Sequence, residues 1–367
     1  MRERATSVKV SPPQKDEASM VQQSIQDWFT FTQDSSFSLD GNFSLVTSTG
    51  SVRDSNQDRV GVLRVSSSSR SFICACVCDG MGGMRDGDLA AAIGLAAFFS
   101  ELIKSRRFYP IERLEHALQY ANRQVAERCP GGGSTLSAAL IENDDVYIAN
   151  VGDSRIFGFS QSGELTRLTI DDTMFERYGS ENRGLLQYLG LRKDLNPDVQ
   201  KVSKDFVSIL LASDGCYSIG ESSIKSLQGS TPDALTFSRR AVQLSEWFGG
   251  HDNSSLVFIS DVKKTIASLS NRSDVSIFST QGRMQIEWVH EDPPSSRSQG
   301  DSRNDNLNLP KSQPSDVSPS DTDAKKVTRT KSRSAATKNS RTKGMAKKTS
   351  TESDQQFSIG FDGEGEE

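Results

Sequence analysis

Apolar residues in this chain concentrate between about Phe43 and Phe258, in short runs separated by turn residues. Short runs rich in β-branched and aromatic side chains predict β-strands. We expect strands at Phe43–Thr47, Arg59–Val65, Phe72–Cys78, Ser134–Glu142, Val146–Val151, Arg155–Phe159, Glu164–Thr169, Val207–Ala212 and Ser254–Ser260. The whole stretch is long enough to bury one substantial hydrophobic core.

Helical patterns interrupt these strands. The segment Asp88–Lys104 is dense in alanine and leucine, and its first residue is a candidate N-cap. A second helix is expected after Pro110, where apolar residues recur three and four positions apart. They are Ile111, Leu114, Leu118, Ala121 and Val125. With a third helix at Ala234–Trp247, the order of elements predicts an α+β architecture of helices packed on sheets, unlike a regular βαβ alternation.

The two ends of the chain differ from this region. Residues 1–36 are polar, so we expect a flexible arm, in which Trp28–Phe31 is a patch that docks on the core or a partner. Residues 37–262 form the predicted globular domain, and residues 263–290 are ambiguous, with Met284–Val289 as a candidate added strand. Residues 291–367 lack apolar periodicity, which predicts a disordered tail because too little apolar surface is available to offset chain entropy.

Charge is unevenly distributed in this tail, although the formal net charge of the chain is −5. Residues 325–348 contain ten Lys or Arg and no acidic residue, and the residues after them form an acidic end. Two interpretations stay open. The basic block contacts nucleic acid or an acidic partner, or it is a solvated linker on which the acidic end folds back.

The five cysteines do not form a secreted disulfide framework, because their number is odd and three of them alternate in one predicted strand. We expect Cys74, Cys76 and Cys78 to pack on one strand face, since a zinc site would need ligands from further elements. The N-terminus lacks a signal-peptide core, and the longest apolar run, Leu89–Phe99, is too short to span a bilayer. We therefore expect a cytoplasmic protein without a membrane anchor.

Four aspartates, Asp58, Asp79, Asp214 and Asp252, stand at the end of an apolar run or in a tight turn. Carboxylates at strand ends can converge on one rigidly held spot. Hard divalent cations such as Mg²⁺ and Mn²⁺ bind such oxygen ligands. Each motif alone is also compatible with an ordinary turn, so the interpretation depends on their joint order.

That order includes further motifs. In sequence they are Gly50-Ser51-Val52-Arg53 with Asn56-Gln57-Asp58, Asp79-Gly80-Met81-Gly82-Gly83, Gly133-Ser134-Thr135, Asn150-Val151-Gly152-Asp153-Ser154-Arg155, Leu168-Thr169 with Asp172, Leu210-Leu211-Ala212-Ser213-Asp214-Gly215 and Asp252-Asn253. The set resembles the PPM family, the 2C-type metal-dependent serine/threonine protein phosphatases, in its bacterial form. The resemblance covers the stretch from Gly50 to Phe258 and implies two packed antiparallel β-sheets flanked by helices, with a metal centre at one end.

The resemblance also implies roles for single residues. Asp79 would bridge two Mn²⁺ or Mg²⁺ ions, and the Gly80 carbonyl, Asp214 and Asp252 would complete their coordination. Asp58 would hold metal-bound water, and a water activated by both ions would attack phosphorus directly.

Arg53 would clamp the phosphate of the substrate through a forked contact. The alternative for Arg53 is a surface ion pair with Asp54.

Several positions depart from the family pattern. Gln57 stands where many members have Glu. Met81 stands where many eukaryotic members have His, and bacterial-type members also carry Met at this position. Asp153 matches a third-metal ligand of some members, but its usual partner is replaced by Ser218, which leaves a third metal open. The segment between Asp172 and Val207, where bacterial relatives place a flap, is short.

We therefore expect an active phosphatase that opposes Ser/Thr kinases. Its partners would be proteins phosphorylated on Ser or Thr, among them a Ser/Thr kinase or its substrates. The alternative is a pseudophosphatase that binds phosphoproteins without turnover, which Gln57 and Ser218 favour. The intact set of Asp79, Asp214 and Asp252 argues against that alternative.

Overall fold

The computed structural model describes residues 5–10, 15–67, 70–81, 86–269 and 274–288. The predicted disordered tail at 291–367, with its basic block at 325–348 and its acidic end, lies outside these residues, and so do Gly82 and Gly83. In the part of the chain that is described, no helix is long and apolar enough to cross a membrane.

Strands and helices follow one another in the chain without a regular alternation. In chain order they are β1 (Ala5–Val10), α1 (Lys15–Thr30), β2 (Ser35–Leu39), β3 (Phe43–Ser48), β4 (Arg59–Ser66), β5 (Phe72–Cys78), α2 (Gly87–Lys104), α3 (Pro110–Arg128), β6 (Leu136–Glu142), β7 (Asp145–Val151), β8 (Arg155–Ser160), β9 (Leu165–Arg167), α4 (Met174–Tyr178), β10 (Asp198–Lys201), β11 (Phe206–Ala212), α5 (Asp214–Tyr217), α6 (Glu221–Ser230), α7 (Ala234–Trp247), β12 (Ser254–Ile259), α8 (Val262–Ala267), β13 (Asp274–Ser279) and β14 (Gly282–Trp288).

These strands form two sheets. The first has eight strands in the order β1-β14-β13-β4-β5-β6-β7-β10, and the second has six in the order β2-β3-β12-β11-β8-β9. Neighbouring strands are antiparallel except for β1, which pairs with β14 in parallel at the edge of the first sheet. The predicted pair of antiparallel sheets flanked by helices is confirmed.

Strand β5 shows how its sequence builds the layers. All seven of its residues are buried, so both of its faces are covered. Cys74, Cys76 and Cys78 pack in the cluster between the first sheet and the helices, while Ile73 and Val77 pack in the cluster between the sheets. The alternation of side chains in a strand produces this division, and the predicted packing role of the cysteines is confirmed.

The helices cover the outer faces of the sheets. Helix α2 begins at Gly87, so Asp88 lies in its first turn and is not the N-cap that the sequence suggested. In that position its negative charge interacts favourably with the positive end of the helix dipole and stabilises the helix. In α3, Leu114, Leu118 and Val125 are buried as predicted, whereas Ile111 is exposed. Helix α7 covers the second sheet through Phe237, which packs on Phe258.

The prediction of a flexible arm over residues 1–36 is wrong, because this segment contains β1, α1 and the start of β2. Val21, Ile25 and Phe29 recur four positions apart on α1 and are buried in the same cluster as α2. Phe29 of the predicted docking patch contacts Phe99 edge to face, with ring centroids 6.3 Å apart. The ambiguous segment 263–290 adds β13 and β14 to the first sheet.

Candidate active site

Strand register brings the predicted aspartates to one end of each sheet. Arg59, the first residue of β4, pairs with Cys78, the last residue of β5. Asp58 and Asp79 therefore flank the same end of this hairpin. In the second sheet Ala212 of β11 pairs with Leu256 of β12, so Asp214 and Asp252 also emerge at one shared end.

Asp58 is fully buried, and its side chain is held from the other sheet. The Ser213 hydroxyl donates to Asp58 Oδ2 at 2.9 Å, and the Asp58 N–H donates to Asn56 Oδ1 at 3.0 Å. The second carboxylate oxygen, Oδ1, is buried without a hydrogen-bond partner. Asp58 thus has one fixed oxygen and one oxygen still able to accept.

Asp79 is held through its backbone by β6 and its entry loop. Thr135 N–H donates to the Asp79 carbonyl at 2.8 Å, and Asp79 N–H donates to Thr135 Oγ1 at 3.0 Å. Only glycine fits at position 80, because two other backbone segments pass close to it. A Cβ there would lie 2.4 Å from the Gly87 carbonyl oxygen and 2.7 Å from the Gln57 carbonyl oxygen. Packing alone therefore explains this glycine, and metal binding by its carbonyl stays a prediction.

Asp214 opens the short helix α5, directly after β11. Its Oδ1 atom is buried without a hydrogen-bond partner. A Cβ at Gly215 would lie 2.2 Å from the Asn253 carbonyl oxygen and 3.3 Å from the Asp252 Cβ. The absence of a side chain at Gly215 is thus what lets the Asp214 and Asp252 segments approach each other.

Asp252 forms an ion pair with Arg53, which lies on the loop between β3 and β4. Arg53 Nη2 lies 2.7 Å from Asp252 Oδ2, and the two side chains are 40% and 34% exposed. Within the described residues, the ion pair of Arg53 is with Asp252 and not with Asp54. The guanidinium therefore stands at the rim of the carboxylate cluster, in reach of solvent and of any ligand that approaches it.

Burial and neighbouring negative charges raise the pKa values of three of these carboxyl groups. Burial raises the pKa of Asp79 well above its usual range, and the charges of Asp58, Asp214, Asp153 and Asp252 raise it further. Burial also raises the pKa of Asp58 to about 7, against hydrogen bonds from Ser255 and Ser213 that lower it. The pKa of Asp214 is raised by burial and by the charge of Asp252.

Asp153 lies beside this cluster. Burial, Asp214 and Asp171 raise the pKa of Asp153 to about 6. Its carbonyl accepts from the Tyr217 hydroxyl at 3.0 Å. Ser218, which replaces the usual second ligand of a third metal, donates to the Gly215 carbonyl at 2.7 Å. A third metal at Asp153 stays a prediction.

The donor set fits hard divalent cations. Two buried carboxylate oxygens, one each on Asp58 and Asp214, accept no hydrogen bond, and the neighbouring acids repel one another. A cation relieves both conditions. In the ranges described, no three acidic, histidine or cysteine side chains already form a metal-binding group, and Asp252 points to Arg53 instead.

Asn253, which the sequence singled out only as part of the Asp252-Asn253 motif, holds the loops in place. Asn253 Nδ2 donates to the carbonyls of Thr49 and Ser55 at 2.9 and 3.0 Å, and its Oδ1 accepts from Gln57 N–H at 2.8 Å. One amide thus fastens the loop that carries Arg53 to the segment that carries Asp252. The only signal in the sequence was its position directly after Asp252.

The start of the segment after Asp172 is fastened to the loop that follows β7. Asp172 Oδ2 accepts from Gly152 N–H at 3.2 Å, and Oδ1 accepts from Arg177 at 2.8 Å. An isolated β-bridge pairs Thr173 with Leu185. Between Asp172 and Val207, where a flap was expected by resemblance to bacterial relatives, the chain forms helix α4, a loop and strand β10.

The sequence of this chain is similar to those of known phosphatases. The family model of protein phosphatase 2C matches residues 47–249, more than half of the chain. Serine/threonine phosphatase stp of Listeria welshimeri is 27% identical over 242 residues, which cover 58% of this chain and 93% of that protein. Protein phosphatase PhpP of Streptococcus pneumoniae is 28% identical over 244 residues, which cover 59% and 96% of the two chains.

Solved structures show the same fold. The PPM Ser-Thr phosphatase MsPP of Mycobacterium smegmatis superposes with a TM-score of 0.50 at 25% identity, covering 59% of this chain and 97% of that one. The phosphatase Stp1 of Staphylococcus aureus gives a TM-score of 0.51 at 22% identity, covering 62% and 97%. The chain belongs to the protein phosphatase 2C family. Its enzyme class is that of a protein-serine/threonine phosphatase of the bacterial PPM type.

Proposed function

We propose that this protein hydrolyses phosphoserine and phosphothreonine in proteins with two Mn²⁺ or Mg²⁺ ions, and that it opposes Ser/Thr kinases. The observation that carries the proposal is the cluster of Asp58, Asp79, Asp214 and Asp252, in which the negative charges repel one another and two buried oxygens, on Asp58 and Asp214, have no hydrogen-bond partner. A cluster of this kind costs stability unless a cation neutralises it.

In this proposal Asp79, the Gly80 carbonyl, Asp214 and Asp252 hold the ions. When bound, the ions supply a water of lowered pKa and neutralise charge that develops on the phosphate. Asp58, fixed by Ser213, accepts a hydrogen bond from a water through its free oxygen. Its position on the buried side of the cluster lets it orient that water and accept a proton from it.

Arg53 would bind the phosphate oxygens of the substrate. Its guanidinium is partly exposed and reaches the cluster from the rim, where it pairs with Asp252. A guanidinium can donate two parallel hydrogen bonds to a phosphate. The PPM phosphatase of Mycobacterium smegmatis was solved in complex with cacodylate, a tetrahedral oxyanion, which supports an oxyanion site in this fold.

Other parts of the proposal concern the cell. The substrates would be phosphorylated proteins that include a Ser/Thr kinase or its targets, and the cytoplasm is retained as the setting because of the cysteine pattern. An acidic partner or nucleic acid for the basic block at 325–348 stays a prediction.

Hydrolysis of p-nitrophenyl phosphate and of a phosphothreonine peptide by the full-length chain, with and without Mn²⁺, tests the proposal. Turnover should require Mn²⁺, and Asp79→Ala should lower kcat/KM by about a hundredfold or more, because it removes the shared ligand. Asp54→Asn, next to Arg53 but outside the cluster, is the matched control and should retain activity.

One observation favours the alternative of a pseudophosphatase. Arg53, the proposed phosphate clamp, and Asp252, a proposed metal ligand, form an ion pair with each other. Each is therefore paired with the other rather than with phosphate or metal. A chain that binds the phosphothreonine peptide but hydrolyses neither substrate in Mn²⁺ would support this alternative and overturn the proposed activity.

A further inference from the structure

Three apolar side chains are exposed beside the phosphate clamp. Val52 is 60% exposed, Trp247 85% and Phe248 64%. Val52 directly precedes Arg53, and Trp247 and Phe248 directly precede the turn that leads to Asp252. We call these three residues the Trp247 patch.

The two segments that carry the Trp247 patch are joined to each other. Ser51 N–H donates to the Gly250 carbonyl at 2.9 Å, and a Cβ at Gly50 would lie 2.8 Å from the same oxygen. The Arg53–Asp252 ion pair closes the other end of this junction. The patch and the clamp therefore belong to one surface.

Backbone hydrogen bonds fix the position of the two residues that carry the aromatic rings. Trp247 is the last residue of α7, and Phe248 N–H donates to the Leu244 carbonyl at 3.0 Å. Gly249 and Gly250 then adopt left-handed φ values of 122° and 55°, which glycine adopts without strain. The turn sends the chain back to Asp252 and leaves both aromatic rings on the surface.

Tyr109, another exposed aromatic residue, lies elsewhere. Tyr109 is 72% exposed. It follows Phe108, whose carbonyl accepts from Arg70 at 2.7 Å. Arg70 lies in the turn between β4 and β5, and Asp58 and Asp79 lie at the opposite end of these strands. The Trp247 patch differs from Tyr109 because its two segments are the ones joined at the Arg53–Asp252 ion pair, and exposed apolar residues grouped in this way mark interaction sites.

We propose that the Trp247 patch binds a large apolar side chain of the substrate, close in sequence to the phosphorylated residue. This inference rests on the proposed function and specifies its substrate class: phosphoserine or phosphothreonine segments with a Leu, Met or Phe within about three residues. An extended peptide advances about 3.3 Å per residue, so a side chain three residues from the phosphorylated residue lies about 10 Å from it, and binding of both groups is what the experiment tests.

The backbone that carries the two rings is already held by hydrogen bonds within this turn. Anchoring on a short, closed turn reduces the ordering that binding would otherwise require. Aromatic residues of this kind carry much of the binding free energy at protein interfaces. The predicted effect is on kcat/KM for peptides and not on the chemistry at the metal site.

The experiment compares full-length wild type with Trp247→Ala and Phe248→Ala in Mn²⁺. The substrates are phosphothreonine peptides that carry either Leu or Ser at each position within three residues of the phosphothreonine, and p-nitrophenyl phosphate. We expect wild type to prefer one or more Leu peptides, and both variants to lower kcat/KM for those peptides by about tenfold. Rates on Ser peptides and on p-nitrophenyl phosphate should change by less than about twofold. Tyr109→Ala, an equally exposed aromatic residue at the far end of the β4–β5 hairpin, should change none of these values.

Several results would overturn the inference. Equal rates on Leu and Ser peptides in the wild type would do so while leaving the proposed phosphatase activity intact. A Trp247→Ala variant that loses activity equally on every substrate would show a structural role instead. Dissociation of a dimer by this substitution, measured by light scattering, would assign the patch to a second copy of the chain. A wild type that hydrolyses no substrate would instead refute the proposed function itself.

Discussion

Ser213 and Asn253 show how much of the site depends on residues that carry no charge. Ser213 donates to Asp58 from the opposite sheet, and Asn253 joins the Arg53 loop to the Asp252 segment with three hydrogen bonds. A functional constellation is only as accurate as the residues that support it. These contacts span 155 and about two hundred residues of sequence, so no local pattern indicates them.

Gly215→Ala tests the close approach at the residue scale. The added methyl would lie 2.2 Å from the Asn253 carbonyl oxygen, and a backbone atom has little room to move. We expect a loss of about 2–3 kcal/mol in the free energy of unfolding, together with loss of phosphatase activity. Urea denaturation and phosphate release measure the two effects.

The matched control is Gly229→Ala in α6, where a Cβ meets no atom within 4 Å. There we expect a gain of up to about 1 kcal/mol, since alanine favours a helix over glycine. Wild-type stability for Gly215→Ala would contradict the packing described at this turn.

The buried carboxyl of Asp58 predicts a pH effect in protein treated with EDTA. Its pKa is raised from 3.8 to about 7, chiefly by burial. The folded state therefore holds the proton more tightly, and this contribution to stability is present below about pH 4 and is lost as pH rises through 7. It amounts to ~4 kcal/mol at most, at about 1.4 kcal/mol per pH unit.

Asp58→Asn removes this titration. The free energy of unfolding of the variant relative to wild type should rise between pH 5 and pH 8, as urea denaturation in EDTA would show. Asp54→Asn, at an exposed carboxyl outside the cluster, is the control. A difference that stays flat for Asp58→Asn would show that Asp58 already ionises normally in the folded protein.

At the scale of elements, α1 is the part of the chain that departs most from the sequence-based expectation. It buries Phe29 on Phe99, and Arg59 joins its last turn to the active-site loop. The Arg59 guanidinium donates to the carbonyls of Phe29 and Thr30 on one side and to those of Asn56 and Asp58 on the other. The negative end of the helix dipole favours this buried cation.

Phe29→Ala is the prediction for this element. Phe29 is only 3% exposed, so the substitution leaves a cavity against α2 and should cost about 3–5 kcal/mol in the free energy of unfolding. Phe31→Ala, at a side chain that is 78% exposed, should cost less than about 0.5 kcal/mol. Equal denaturation midpoints for the two variants would mean that α1 is not docked in solution.

Other elements were predictable because their signal is local. Strand β5 and helix α7 have the bounds that their residue patterns predicted. Helix α1 was missed because its apolar positions are separated by polar residues and follow a proline pair. The parallel pairing of β1 with β14 joins residues about 280 positions apart, and such pairing depends on the whole fold.

For the whole molecule, the proposed ions should stabilise the fold. The acids repel one another in the metal-free protein, and a ligand that binds only the folded state raises its stability. At a Mn²⁺ concentration of about one hundred times the Kd, the gain is about 2.7 kcal/mol, which corresponds to a rise in Tm of several degrees. Calorimetry with and without Mn²⁺ measures it.

Asp214→Asn should abolish most of this rise, and Asp54→Asn should retain it. A wild type whose Tm does not respond to Mn²⁺, and which takes up no Mn²⁺ in titration calorimetry, would remove the basis of the proposed mechanism.

The sequence by itself determined the class of this protein, because turn and strand-end motifs such as Asp79-Gly80 are local and their order along the chain is specific. It also determined the core strands, since the short apolar runs that predict a buried strand consist of neighbouring residues. Only the tertiary structure decided which groups meet: the Ser213 contact with Asp58, the Arg53 ion pair with Asp252, and the seat of α1 on α2. Each of these contacts joins distant segments, and their geometry follows from sheet register and layer packing rather than from any pattern along the chain.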